Sequence, residues 1–183
     1  MASANSLIVF DAAGHAIGYY QGTCNNSDAD WKVYSLSGYF ACVEVTTGTL
    51  DSSIELPGGA GTTVSESGFS ESECVGARYA FSDNTGVGAF YGGFVLAGLH
   101  DRAAYTKNDG QLAVLQNLYS DEIPLGSACA TFSNPPIAEF ALPVFDNDSS
   151  VTGFSNVAYK APLRIQPASD TSLSDVIFFD SFE

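Results

Sequence analysis

The chain has 183 residues, 45% of them apolar, which suits one globular domain rather than a disordered polymer or a two-domain enzyme. Six Lys and Arg stand against 21 Asp and Glu, a net charge of -15 that repels phosphate backbones and anionic lipid, so nucleic acid is not an expected partner. No apolar run reaches the roughly 18 residues of a membrane helix; the longest, 86–99, is broken by glycines, and membrane insertion is not expected.

The opening Met1-Ala2-Ser3-Ala4-Asn5 lacks the charged and apolar regions of a signal peptide, but Ala2-Ser3-Ala4 has the small-x-small form of a cleavage site. Residues 1–5 read as a signal-cleavage or cloning remnant ahead of a single domain spanning 1–183. Leu7-Ile8-Val9-Phe10 then reads as a strand, Asp11-Ala12-Ala13-Gly14 as a turn and 15–20 as the returning strand of a hairpin. Asn25-Asn26-Ser27-Asp28-Ala29-Asp30 reads as an acidic loop. The run 39–47 is rich in aromatic and β-branched residues; as a strand it puts Tyr39, Ala41, Val43 and Val45 on one face and Cys42 and Glu44 on the other.

Residues 53–56 lead into Pro57-Gly58-Gly59-Ala60-Gly61, a loop. An acidic turn at 71–73 precedes Cys74 and a strand-like run to Phe81. The glycine-rich run 86–98 reads as a buried strand whose small residues admit close packing. Strands at 104–107 and 111–115 flank Asn108-Asp109-Gly110, a hairpin signal, although Leu112, Val114 and Leu115 also fit the start of a short helix. An apolar run at 137–145, an acidic turn Asp146-Asn147-Asp148, a segment at 161–165, a connector at 166–174 and a last strand at 176–179 complete the chain. About ten short strands at turn-punctuated spacing predict an all-β, antiparallel β-sandwich or barrel-like body.

Cys24, Cys42, Cys74 and Cys129 show none of the C-x-x-C spacing of zinc or redox motifs, so they read as disulfides stapling that body. Four cysteines allow three pairings, and sequence alone does not choose rigorously among them. The favoured one joins Cys24 to Cys42, across one loop and one strand, and Cys74 to Cys129, between distant segments. In the chain-entropy model loops of these lengths contribute about 3 and 4 kcal/mol, a large share of a domain's total of about 5–15. Such bonds persist only in an oxidising compartment, which predicts a secreted, extracellular or cell-surface protein. A nucleophilic role for Cys74 would need a cationic setting, and Glu66, Glu71 and Glu73 oppose the thiolate.

No catalytic motif surrounds His15 or His100, and His100-Asp101-Arg102 reads as a polar turn. Two acidic loops, one with Asp28 and Asp30 and one with Asp146 and Asp148, are candidate calcium sites because alternating Asp or Asn can turn several oxygens toward one centre; neither has the twelve-residue helix-flanked form. No other cofactor is implied. Asn25-Asn26-Ser27 and Asn147-Asp148-Ser149 match the N-glycosylation acceptor pattern. Trp31, beside Asp28 and Asp30, is a candidate sugar-stacking residue, set against the commoner fate of a lone Trp packed in a β-sandwich core.

Several fragments together resemble small β-rich exported bacterial proteins, some of which are heads on collagen-like or tail-fibre-like stalks. They are Leu7 through Gly18, the F-x-x-S-x-C-x-G-x-x-Y arrangement from Phe69 to Tyr79, Cys129, Thr152-Gly153-Phe154 with Ala161-Pro162-Leu163-Arg164-Ile165, and the ending Val176-Ile177-Phe178-Phe179-Asp180-Ser181-Phe182-Glu183. That ending is similar to the I-F-x-D-G-F-E tail of gammaproteobacterial exported proteins, with Ser181 in place of the glycine. The resemblance implies an extracellular, non-enzymatic structural, adhesive or ligand-binding module whose partners are an extracellular ligand, a carbohydrate or copies of itself, as in a homotrimer. The alternatives are a secreted hydrolase acting on carbohydrate through a carboxylate pair, and a subunit of an extracellular assembly.

Overall fold

The computed structural model describes residues 6–24, 27–55, 63–82, 93–98, 103–107, 119–120, 129–131 and 142–168. Among these residues thirteen strands form one sheet. They are β1 (Leu7–Phe10), β2 (Ala16–Cys24), β3 (Ser27–Tyr34), β4 (Phe40–Glu44), β5 (Ser53–Glu55), β6 (Thr63–Glu71) and β7 (Val75–Ser82), then β8 (Phe94–Ala97), β9 (Ala103–Tyr105), β10 (Tyr119–Ser120), β11 (Ala130–Thr131), β12 (Leu142–Asp146) and β13 (Arg164–Pro167). The one helix among the described residues, α1 (Ser149–Thr152), follows β12.

The expected opening hairpin is present: Asp11–Gly14 turns β1 back onto β2, with Val9 opposite Gly18. The strand path is β11-β10-β6-β7-β12-β9-β8-β4-β3-β2-β1-β13, with β5 on β6. Its ends do not meet, so the barrel-like alternative is corrected to an open sheet. One pairing breaks the antiparallel pattern: β4 and β8 run parallel, with Phe40 beside Phe94. Strand β12 turns the corner, giving Leu142, Pro143 and Val144 to β7 and Phe145 and Asp146 to β9. One continuous sheet thereby folds into two leaves, a way of making a sandwich from strands that switch partners along their length.

Between the leaves lies one apolar cluster. Cys24, Phe40, Cys42, Phe94, Leu96 and Ala104 come from the β1–β4, β8 and β9 leaf; Ile54, Val64, Ala80, Leu142 and Val144 come from the other. The opposite face of the first leaf carries Val9, Ile17, Val33, Ala41, Val43 and Val95, the alternate positions of the same strands. Among the described residues no second sheet covers that face. The excursion 147–163 between β12 and β13 does, inserting Phe154, Tyr159 and Leu163. Fully burying a side chain such as Phe94 or Phe154 contributes roughly 1.5–3 kcal/mol. A third cluster, Ile8, Phe10, Ala16 and Ala168, sits where β1 meets β13.

Several local expectations change. Ser27 to Asp30 is not a loop but the start of β3, held by β2 on one edge and β4 on the other. Gln166 and Pro167 belong to β13, paired with Ile8 and Leu7, rather than to a connector. Strand β9 has β8 and β12 on its two edges, so an Asp-Gly hairpin partner finds no free edge on residues 103–105. The segments 57–61, 86–92, 108–118, 137–141 and 176–179 lie outside the described residues.

Candidate functional site

Both disulfides pair as favoured from the sequence, Cys24 with Cys42 and Cys74 with Cys129. Cys24 and Cys42 are buried in the inter-leaf cluster, where they cross-link β2 and β4 over the intervening β3. Cys74 closes the β6–β7 turn with φ 54°, its N–H donating to the Glu71 carbonyl. Both bonds require an oxidising compartment. No described helix is long and apolar enough to cross a membrane.

The other predicted residues scatter. Trp31 is half-buried and meets Tyr20 edge-on at 5.6 Å, packed with the cluster under the excursion. It shares the face of Val33 and Val43, whereas Asp30 shares the opposite face with its cross-strand neighbour Glu44, so Trp31 and Asp30 point apart. Asp28 is exposed on β3. Asp146, 72% exposed, binds the largely buried Arg78 guanidinium at 2.7 Å. Asp148 caps α1, accepting from Ser150 N at 3.0 Å and Ser150 Oγ at 2.7 Å; those bonds hold its carboxyl below the usual range. Among the described residues no three His, Cys, Asp or Glu converge as a metal set. The Asn147 acceptor pattern is corrected: its amide is buried, donating to Phe154 O and Asn156 Oδ1 at 2.8 Å each and accepting from Thr152 Oγ1 at 2.6 Å. His100, Asn25 and Asn26 lie outside the described residues.

His15 does have a partner that the sequence reading missed. Buried Asp11 accepts from His15 N at 2.8 Å and faces its Nδ1 at 3.2 Å. Burial pushes the Asp11 carboxyl up, but the His15 hydrogen bonds outweigh it and the net shift is downward. The pair knits the β1–β2 turn.

A concavity among the described residues was not legible in the sequence. It is a groove of about 640 Å³ between the β3–β4 turn and the excursion. Ala16 and Ile17 of β2 lie at its base. One wall is Ser35, Leu36 and Ser37, shaped by Ser35 N donating to Tyr39 O at 2.8 Å and Gly38 N to Ser35 O at 3.1 Å. The other runs from Ser149 and Ser150 through Gly153 to Tyr159. Gly153 ends α1 with φ 77° and donates to Ser149 O, which turns the chain across the sheet. Tyr159 O–H is buried, accepts from Ser155 N at 2.9 Å and is pushed up to about 12 by that burial.

Leu36 and Val157, 57% and 69% exposed, stand on the two walls. The remaining lining is serine, asparagine, the Tyr159 phenol and apolar side chains, with no carboxylate, amine or imidazole. Such a surface can bind an uncharged ligand with both apolar and hydroxyl-bearing parts. Asp30 and Glu44 form a cross-strand acid pair in this leaf, and paired acids are what a glycosidase uses. Hydrogen bonds from Thr46 and Thr47 Oγ1, at 2.7 and 2.8 Å, hold Glu44 below the usual carboxylate range, the opposite of what a proton donor needs.

Comparison of the chain with protein-family models, with curated proteins and with solved structures finds no match.

Proposed function

We propose that this chain is a non-enzymatic extracellular binding module whose groove between residues 35–37 and the 149–159 segment holds a neutral, amphipathic ligand. The carrying observation is that Leu36 and Val157 are left exposed on opposite walls, amid five serines and no charged side chain, on a protein of net charge -15. Exposed apolar side chains grouped around a concavity mark interaction sites more often than chance scatter does. Two disulfides and the resemblance of several fragments to exported bacterial proteins support the extracellular setting.

The test is a titration of the isotope-labelled protein with octyl glucoside below its micelle concentration, and with octanoate as an anionic probe of similar chain length. Octyl glucoside is expected to shift the amides of Leu36, Ser37, Gly153 and Val157, and Leu36→Ser is expected to weaken it; octanoate is expected to leave them in place. Octyl glucoside recovered intact supports the non-enzymatic reading, and octanol release overturns it. Absence of shifts at these four amides overturns the groove as the site.

A further inference from the structure

A second concavity lies on the opposite face of the same leaf, lined by Tyr19, Gln21, Lys32 and Tyr34 and enclosing about 450 Å³ of open space. Tyr19 and Tyr34 are direct cross-strand neighbours on β2 and β3. Alternation puts Gln21 two residues along from Tyr19, and Lys32 two residues back from Tyr34, on that same face. The position follows from the fold. Tyr34 packs against the inter-leaf cluster and Tyr19 against the cluster at β1 and β13, so the depression lies between the two.

Both rings are set in place before any ligand arrives. Tyr34 stacks on Phe40 with centroids 5.3 Å apart and planes 26° from parallel. Phe40 in turn has the Lys32 ammonium 5.4 Å from its centroid. Half-buried tyrosines supply rigid, amphipathic contact area at low cost in conformational entropy, because few torsions remain to be fixed. Beside them stand an amide and an ammonium, which with the phenols present hydrogen-bond donors around the two aromatic rings.

We infer that this depression binds a neutral sugar ring of an extended glycan, with the Tyr19 and Tyr34 rings against the apolar face of a pyranose and Gln21 and Lys32 donating to its hydroxyls. Size decides against a protein partner: four side chains and this volume fit the lower part of the roughly 300–1,000 Å³ span of small-ligand sites, whereas a stable protein interface uses roughly 20–30 residues a side. Charge decides against an acidic sugar. Asp30 lies two residues before Lys32 on the same face, opposite Glu44, so a uronate reaching the ammonium meets two carboxylates. The glycan site is separate from the groove and stands without it.

The experiment is affinity electrophoresis of the oxidised full chain in native gels cast with hydroxyethylcellulose, dextran or galactomannan, and with polygalacturonate as the acidic comparator. Retardation is expected in at least one neutral gel. Tyr34→Ala is expected to lower that affinity about tenfold, as loss of a central aromatic contact does, and Gln21→Ala about threefold. Because Tyr34→Ala also removes the stack on Phe40, the exposed Gln21→Ala variant and Tyr19→Ala carry the test if Tyr34→Ala fails to fold. Leu36→Ser, in the groove, is expected to be retarded like the wild type. Migration unchanged in all three neutral gels, retardation in polygalacturonate alone, or retardation indifferent to Gln21→Ala and Tyr19→Ala would each overturn the assignment.

Discussion

Gly48 fastens the excursion to the sheet it covers. It lies in the turn after β4 at φ 74°, donates to Glu44 O at 2.8 Å, and accepts from Tyr159 N at 2.9 Å. A β-carbon built here overlaps the Tyr159 carbonyl oxygen and stands 2.8 Å from its carbon. Gly48→Ala therefore carries two costs. An L-residue in the left-handed region costs roughly 1–2 kcal/mol, and moving the Tyr159 backbone sacrifices a hydrogen bond of about 1 kcal/mol together with packing beneath it. The total is about 3 kcal/mol, which for a chain of this length lowers Tm by about 6–12 °C. Gly22 supplies the control: its φ is 111°, but an added β-carbon meets nothing within 4 Å. Gly22→Ala should show the conformational cost alone, roughly 1–2 kcal/mol. Urea unfolding of both oxidised variants measures the difference. Equal destabilisation of the two would refute the claim that Gly48 and Tyr159 are in backbone contact.

Three further outcomes are expected. Replacing Cys24 and Cys42 together by serine should destabilise more than replacing Cys74 and Cys129, although the second loop is longer, 55 residues against 18. Loop entropy favours the second bond by about 1 kcal/mol, but two hydroxyls buried in the inter-leaf core cost about 1–3 kcal/mol each; denaturant midpoints of the two double variants decide. Stability should fall as pH rises from about 10 to about 12, because the Tyr159 hydroxyl is pushed up to about 12 in the fold and ionises near 10 when unfolded. The contribution is intact well below pH 10, about 2 kcal/mol of it is lost by pH 12, and Tyr159→Phe should flatten that part of the curve. Calcium in millimolar excess should move Tm by less than about 1 °C, since Asp146 is engaged by Arg78 and Asp148 by its helix cap; a larger rise that Asp148→Asn removes would show that the loop at 146–150 binds the ion.

The parts of the fold legible in the sequence are those where local chemistry and tertiary environment agree. The β1–β2 hairpin follows from an apolar run, a turn ending in glycine and a returning run, and β4 divides its faces as its alternation requires, with Tyr39, Ala41 and Val43 beneath the excursion and Cys42 between the leaves. Strand β3 was hidden because Ser27, Asp28 and Asp30 have poor strand propensity; pairing with β2 and β4 on both edges overrides it. The parallel join of β4 and β8 links Phe40 to Phe94, a separation that no local pattern signals. Neither concavity was legible. The groove is built from serines and a leucine more than a hundred residues from the facing wall, and such residues carry no spacing rule. The tyrosine pair depends on the register of β2 against β3, which is set through a bulge near Gly22. The signal that was available, aromatics at Tyr19 and Tyr34 alternating with polar residues, gains its meaning only when the strands are paired.

The parallel join also orders events in time. Strands β1 to β4 form an antiparallel meander from the first 44 residues, and its Cys24–Cys42 bond lies wholly within it. A chain emerging amino end first can therefore lock this meander, with residues 49–51 bonded along Cys42–Glu44, while the Phe40–Ala41 end of β4's outer edge still waits for β8, which arrives only after β5, β6 and β7 have been made. Until then that edge is a ready template for another strand, including one from a second nascent chain.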